Sequence, residues 1–128
     1  MKTNQVFVFG SNRLGIHRRG AAKDAMNMYG AVYGVGEGMQ GQSYAIPTKA
    51  TPWKSLPLDD IQLHVERFLE YAKTHPDQLF YITRIGCGLA GYADKDIAPF
   101  FKDTPDNCEL PVEWVLGPIE RMEHDGPT

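Results

Sequence analysis

The segment Leu79–Tyr92, LFYITRIGCGLAGY, constrains the fold of this chain more than any other stretch. Its first half is a run of aromatic and β-branched residues, which predicts a buried strand. Its second half has glycine at Gly86, Gly88 and Gly91, so the backbone can approach a ligand without interference from Cβ atoms. A helix pattern begins near Asp94, and the free N–H groups of a helix's first turn favour an anion. The segment therefore predicts a phosphate-binding loop, with a tight structural turn as the alternative.

The glycine spacing in this loop is formally G-x-G-x-x-G, the dinucleotide-binding fingerprint. That fingerprint belongs at the first strand of a sheet and requires an acidic residue at the end of a second strand about 20 residues further on. The nearest candidate is Asp106, which lies in the turn-rich segment TPDNCELP. We therefore keep the phosphate-loop interpretation and reject the Rossmann assignment.

The composition indicates a small protein whose ligands are small molecules. A length of 128 residues suits one domain, and no linker divides the chain. The formal net charge of −3 gives no basic footprint for a groove that follows many nucleic-acid phosphates, although a single nucleotide end remains compatible. No segment is typical of a signal peptide or a membrane span, and two cysteines without a matching pair of histidines do not suggest a zinc site. We expect a reduced, cytoplasmic protein with no membrane partner, metal or cofactor.

Strands and helices alternate along the chain. The predicted strands are Gln5–Phe9, Ser43–Ile46 (ended by Pro47), the run that begins at Leu79, and Val112–Leu116. The predicted helices are Ala21–Tyr29 (closed by Gly30), Pro57–Thr74, and a short helix over Asp94–Lys102 that is interrupted or restarted at Pro99. The glycine-rich segment Ala31–Gln42 predicts a loop or a loose hairpin. This order predicts an α/β fold with a mostly parallel sheet between helices in residues 1–117, followed by a polar tail at residues 118–128.

A second glycine-containing loop follows the first strand. Ser11–Gly20 carries short polar side chains and the cations Arg13, Arg18 and Arg19. Ligands of open α/β sheets bind at the carboxyl ends of the strands, where this loop lies. Lys49 follows the second strand and is a site candidate for the same reason.

Three segments resemble those of the macro domains, a family that binds ADP-ribose and its relatives. Asn12 at the end of a strand, followed by a helix that opens at Gly20-Ala21, resembles the family's ribose loop and first helix. AIPTK at Ala45–Lys49 and IGCGLAGY at Ile85–Tyr92 look like the threonine-lysine segment and the diphosphate loop of the lysine-dependent subgroup, which removes ADP-ribose from its targets. More specifically, the chain resembles an uncharacterised, often phage-associated set of macro-like proteins.

The resemblance implies a three-layer α/β/α fold with a mostly parallel central sheet. It also implies that Asn12 contacts the distal ribose and that Lys49 acts as the catalytic residue at the anomeric carbon. The ligand that it implies is ADP-ribose or a related nucleotide, free or attached to a protein or a nucleic-acid end. The ligand-binding residues that it implies are Ser11, Asn12, Gly20, Ala21, Thr48, Gly86, Cys87, Gly88, Leu89, Ala90, Gly91 and Tyr92.

The chain departs from the family's pattern at two places. Met1–Gln5 contains no Asp or Glu, whereas many macro domains hold adenine with an acidic motif before the first strand, so adenine recognition is unassigned. Ala90 stands where some relatives place an aspartate. Two functions therefore remain open: hydrolysis of an ADP-ribosyl bond with Lys49, and a non-catalytic module that senses or sequesters a free NAD-derived nucleotide. A purely protein-binding domain is a third reading, which leaves the glycine loops unexplained.

Several reactive side chains also have ordinary explanations. A lysine with a pKa near 10.4 is protonated at neutral pH, so Lys49 is either activated by its surroundings or simply solvated. Cys87 has no histidine near it in sequence, and we expect it to be packed rather than nucleophilic. His17 is either an acid–base group or a solvated loop residue, and we expect His64 and His75 to be surface groups.

Overall fold

Strand β1, Gln5–Asn12, lies at the centre of the sheet in the computed structural model, which describes residues 3–116. The other strands are β2 (Gly38–Gln40), β3 (Ser43–Thr51), β4 (Lys54–Ser55), β5 (Leu79–Ile82) and β6 (Cys108–Glu109). The helices are α1 (Gly20–Met28), α2 (Leu58–Lys73), α3 (Asp94–Ile97) and α4 (Val112–Leu116), and a 3-10 turn at Ala98–Phe101 follows α3.

The sheet is mostly parallel, in the order β2-β3-β1-β5-β6. β1 pairs in parallel with both β3 and β5, and β5 pairs in parallel with β6. Only the short strands β2 and β4 are antiparallel, and both pair with β3. The predicted α/β class with a mostly parallel sheet is confirmed.

Alternate residues of β1 enter two separate cores. Val6 and Val8 join a large cluster that includes Phe68 of α2, whereas Phe9 joins a smaller cluster that includes Ala25 of α1. Since successive side chains of a strand point to opposite faces, α1 and α2 cover opposite faces of the sheet. This explains why the QVFVF run shows no polar alternation, because β1 is buried on both sides.

Both long helices match their predicted bounds to within one residue. α1 ends just before Gly30, which has the left-handed φ of +77° expected of a capping glycine. Helix α2 follows Pro57 and carries Asp59 and Asp60 in its first turn, where carboxylates favour the helix dipole. The end of the Ala31–Gln42 segment forms a hairpin, because β2 pairs antiparallel with β3. The restart predicted at Pro99 is the change from α3 to the 3-10 turn.

The prediction that Pro47 ends the second strand is wrong. β3 continues through the buried Pro47 to Thr51, and Pro47 pairs with Ser11 just where the register between β1 and β3 shifts. Proline lacks an N–H donor, so it is tolerated at such an irregularity of the ladder. The extra length of β3 places Thr48 and Lys49 inside the strand.

The prediction of a last strand at Val112–Leu116 is also wrong. This segment is α4, a short helix that follows Pro111. The last strand is instead β6, two residues inside the segment that was interpreted as turns. Five residues are too few to separate a period of two from a period of 3.6, and β6 is formed only because β5 is available to pair with it.

The predicted tail at residues 118–128 lies outside the described residues. None of the helices in residues 3–116 combines the length and the apolar composition that crossing a membrane requires. The cytoplasmic location stays a prediction.

Candidate functional site

A cleft of about 640 Å³ lies at the carboxyl ends of β1, β3 and β5. This volume falls within the range of about 300–1,000 Å³ that is usual for small-molecule sites. Its walls come from residues 10–12, 16 and 18–22, from residues 48–49 and 52–53 of the β3–β4 hairpin, and from residues 83–85 and 88–90 after β5. The cleft thus occupies the edge of the sheet at which the sequence predicts a ligand.

The structure brings most of the predicted site residues together in this cleft. Those that line it are Ser11, Asn12, Gly20, Ala21, Thr48, Lys49, Gly88, Leu89 and Ala90. Gly86, Cys87, Gly91 and Tyr92 do not line it. The tip of the glycine loop therefore faces the cleft, and its two ends support it.

The first wall is closed by the side chain of Asn12. Its amide nitrogen donates to the Ile16 carbonyl at 3.0 Å, and its amide oxygen accepts from the Ile16 N–H at 3.1 Å. Ser11 donates its hydroxyl hydrogen to the carbonyl oxygen of Gly36. A Cβ on Gly36 would lie 2.4 Å from the Asn12 carbonyl oxygen, so the segment after α1 packs tightly behind this wall. Asn12 therefore fixes the shape of the loop by bonding both amide atoms to Ile16.

The first turn of α1 borders the cleft without a side-chain cap. Arg19 precedes the helix in an extended conformation and makes no capping hydrogen bond, and Gly20 opens the helix with a left-handed φ of +60°. Gly20 and Ala21 line the cleft, where the unpaired N–H groups of a first turn favour an anion. A Cβ on Gly20 would lie 3.5 Å from a methyl group of Leu89, so the glycine loop reaches across to this helix.

The β3–β4 hairpin forms the second wall. Thr48 is buried, with its hydroxyl 3.4 Å from the Ser11 carbonyl oxygen. Lys49 is partly buried and its ammonium donates to the carbonyl oxygen of Pro52, which fastens the turn of the hairpin. Ser55 donates to the Ala90 carbonyl at 2.6 Å, so the hairpin is attached to the glycine loop.

The base of the glycine loop is fixed by backbone geometry. Gly86 has a φ of +75°, and a Cβ there would lie 3.0 Å from the side chain of Ile97. The N–H of Tyr92 donates to the Gly86 carbonyl at 2.8 Å, and its hydroxyl donates to the Leu56 carbonyl at 2.5 Å. Gly88 differs, because its φ is not left-handed and a Cβ there would meet nothing within 4 Å. Gly86 is therefore required by the fold, whereas Gly88 leaves space in the cleft.

The described charged residues that line the cleft are all cationic. Four cationic residues line it, namely Arg18, Arg19, Lys49 and Arg84. Among the residues that the structure describes, no Asp or Glu lines it. The chain as a whole carries a net charge of −3, so the cleft is a local cationic site on an acidic protein. Such a site attracts an anionic ligand.

The orientation of Arg84 is set by Asp94. The Arg84 guanidinium donates twice to this carboxylate, at 3.0 and 2.8 Å, and the indole N–H of Trp114 donates to the same carboxylate at 2.7 Å. The hydrogen bond from Arg84 holds the pKa of Asp94 below its ordinary value. Because only two of the five guanidinium N–H donors are used in this pair, Arg84 keeps donors for a ligand.

The surroundings of Cys87 disfavour its thiolate form. Burial, with a smaller contribution from its hydrogen bond to Asp94, raises the pKa of the Cys87 thiol to about 12. The thiolate is the reactive form, and its population near pH 7 is negligible at that pKa. Cys87 packs against the larger core, as expected from the sequence.

The histidines depart from the sequence predictions. His17 is fully buried, with Nε2 3.0 Å from the Val35 carbonyl oxygen, and it does not line the cleft, so the solvated reading is wrong. His64 is also buried, with Nδ1 2.8 Å from the Glu37 carboxylate, and it is not the surface group that we expected. His75 is half-buried. None of the three contributes to the walls of the cleft.

Arg84 and Trp53 are two of the cleft residues that sequence reasoning missed. Arg84 directly precedes the glycine loop at the end of a predicted parallel strand, and this position was a usable signal. Trp53 has no such local signal, because it enters the cleft only through the turn between β3 and β4.

Comparisons with protein-family models, curated proteins and solved structures gave no match. The cleft itself is therefore the guide to the function of this chain. Its shape, its cations and its uncapped helix are properties of the folded chain that can be tested directly.

Proposed function

We propose that the cleft binds ADP-ribose or a related NAD-derived nucleotide. The observation that carries this proposal is the charge of the cleft, with four cations and no carboxylate among the described lining residues. A diphosphate gains most from charge-assisted hydrogen bonds and from the free N–H groups of a helix N-terminus, and both are present at this edge of the sheet. The choice of ADP-ribose as the nucleotide comes from the resemblance of the two loops to those of macro domains.

The proposal extends to the finer fold, a three-layer α/β/α macro-domain-like arrangement. It is supported by the two separate cores, one with α1 and one with α2, on opposite faces of the sheet. In such an arrangement the loop after β1 and the glycine loop after β5 lie side by side, because β1 and β5 are parallel neighbours. A diphosphate can then contact both loops at once.

Hydrolysis of an ADP-ribosyl bond is the catalytic form of this proposal, with Lys49 as the catalytic residue. Its support is that Lys49 lines the cleft beside Thr48. The non-catalytic alternative, a module that senses or sequesters a free nucleotide, is favoured by a different observation. No carboxylate or imidazole among the described residues lines the cleft to exchange a proton with the amine.

Calorimetry against ADP-ribose, NAD and AMP tests the binding proposal. ADP-ribose should bind more tightly than AMP, because the two loops and the helix end supply more donors than one phosphate uses. Arg19→Ala, which removes a cation of the cleft, should weaken ADP-ribose binding. Lys23→Ala is the matched control, because Lys23 is an exposed cation of α1 outside the cleft. Equal affinity for ADP-ribose and AMP would contradict the two-loop arrangement.

A second assay separates the enzyme from the binding module. The protein is incubated with ADP-ribosylated protein and with ADP-ribosylated DNA, and released ADP-ribose is measured. Release from one substrate identifies both the activity and the attached partner. Binding of free ADP-ribose without release from either substrate supports the non-catalytic module.

A further inference from the structure

Trp53 is exposed to solvent. Its side chain is 87% exposed, the largest exposure among the large hydrophobic residues that the structure describes. The chain has one other tryptophan, Trp114, which packs against the larger core and hydrogen-bonds to Asp94. An indole has a large apolar surface, and leaving it in water forgoes the free energy of burial. The exposure therefore calls for an explanation other than packing within the chain.

The position of Trp53 supplies that explanation. Its backbone N–H donates to the Thr51 hydroxyl at 3.2 Å, which orders the turn between β3 and β4. The hairpin is also attached to the glycine loop, through Ser55 and Ala90 at 2.6 Å. Trp53 thus lines the cleft from an ordered turn rather than from a free loop.

The glycine loop adds a second exposed apolar surface to the same cleft. Leu89 is 56% exposed, lines the cleft, and is adjacent in sequence to the Ala90 that holds the hairpin. The cleft therefore combines two kinds of surface, cations for an anion and exposed apolar groups for a flat apolar body. A free phosphate or a sugar phosphate would contact only the cations, whereas a nucleotide would contact both the cations and the exposed apolar groups.

We propose that Trp53 is the stacking platform for the base of the bound nucleotide. This inference rests on the proposed function in its non-catalytic form and adds the recognition of the base to it. The Lys49 ammonium contacts Pro52 in the turn that carries Trp53, whereas the anomeric carbon and the base are opposite ends of ADP-ribose. Aromatic side chains bind bases through their π faces, and such stacking tolerates different bases because every base has a π face. It requires no acidic residue before β1, which agrees with the sequence of Met1–Gln5.

Two variants and two ligands test the platform. The ligands are ADP-ribose and its abasic analogue, in which hydrogen replaces adenine. Trp53→Ala should weaken ADP-ribose binding about ten- to hundred-fold and leave the affinity for the abasic analogue unchanged. Trp53→Phe keeps an aromatic face and should bind ADP-ribose within about threefold of the wild type. Leu63→Ala is the matched control, because Leu63 is an exposed apolar residue of α2 outside the cleft.

Tryptophan fluorescence gives an independent readout. ADP-ribose should quench the emission of the wild type, and the abasic analogue should not. The Trp53→Phe variant should lose this quenching while it keeps its affinity, since the remaining tryptophan, Trp114, does not line the cleft.

The outcomes separate the two proposals. If the wild type binds ADP-ribose and Trp53→Ala binds it equally well, the platform is wrong and the proposed function stands. The platform is also wrong if Trp53→Ala weakens both ligands equally, because the indole then acts on the cleft and not on the base. If the wild type binds none of ADP-ribose, NAD and AMP, both proposals fail.

Discussion

Gly86 and Gly88 lie in the same loop, but the structure gives them opposite constraints, and a valine at each position separates fold from function. Gly86→Val forces a β-branched residue into a left-handed φ of +75°. That conformation costs about 1–2 kcal/mol for a residue with a Cβ. The new Cβ would also lie 3.0 and 3.2 Å from two carbon atoms of Ile97, closer than ordinary van der Waals contact. We expect a loss of at least about 2 kcal/mol in the free energy of unfolding.

Gly88→Val introduces neither a left-handed φ nor a steric clash. Its φ is not left-handed, and no protein atom lies within 4 Å of the position of a Cβ. The free energy of unfolding should change by no more than about 0.5 kcal/mol, as for an ordinary surface substitution. The added methyl groups occupy the cleft, however, so we expect ADP-ribose binding to fall by at least about a hundred-fold, which is about 2.7 kcal/mol. The reason is lost ligand space and not a forbidden φ.

Thermal unfolding followed by circular dichroism, together with calorimetry, measures both quantities. Gly86→Val should lower Tm by roughly 8 °C, at about 4 °C per kcal/mol for a domain of this size. Gly88→Val should unfold like the wild type and bind poorly. If Gly88→Val keeps the wild-type affinity, the loop is only a structural turn. If Gly86→Val is as stable as the wild type, the left-handed geometry assigned to the base of the loop is wrong.

Two further substitutions test the charged groups of the cleft. If the chain is the hydrolase, Lys49→Ala should abolish the release of ADP-ribose from substrates while ADP-ribose still binds. If it is only a binding module, the wild type should release nothing, and the substitution should change the affinity by no more than roughly 1–2 kcal/mol, the range for one charge-assisted hydrogen bond. Lys54→Ala is its control on the same hairpin, and turnover at the wild-type rate in Lys49→Ala would defeat the lysine mechanism. Asp94→Asn should weaken ADP-ribose binding because it releases Arg84, whereas Asp103→Asn, at an exposed carboxylate outside the cleft, should not. The pKa of Asp94 is lowered in the fold, so its stabilising contribution is present above its ordinary value of 3.8 and is lost as the pH falls through the lower folded value. Urea unfolding at several pH values should show a smaller loss below about pH 4 in Asp94→Asn than in the wild type, and identical acid profiles would contradict this.

Segments with a long or strongly periodic pattern were predictable from the sequence. The spacing of apolar residues on α2 gives its bounds to within one residue, because its stripe faces one core. The continuous apolar run of β1 predicts a strand buried on both faces, and the sheet confirms it. The glycine loops were recognisable because glycine has few other uses after a buried strand.

The errors lie where distant segments decide the local structure. His64 was interpreted as a surface group from its place on α2, but the Glu37 carboxylate, which comes from the segment after α1, covers it. Strand β6 has two residues and no pattern of its own, since it exists only by pairing with β5. Trp53 reaches the cleft through the path of a turn, which its residue type does not reveal, whereas the position of Arg84 at a strand end was a usable signal.

The central place of β1 has a consequence for folding. β1 precedes both of its partners in the chain, and the Thr83 hydroxyl just after β5 donates to the Val8 carbonyl, 75 residues away. Pairing over such separations carries a loop-closure entropy, so we expect the three walls of the cleft to come together only once β1 has paired with both β3 and β5. We therefore expect a ligand of the cleft to bind only the native state. Ligand binding then raises the free energy of unfolding by about 2.7 kcal/mol at a ligand concentration of a hundred times Kd. Measuring the melting curve with each member of a nucleotide library should therefore identify the ligand that this chain binds.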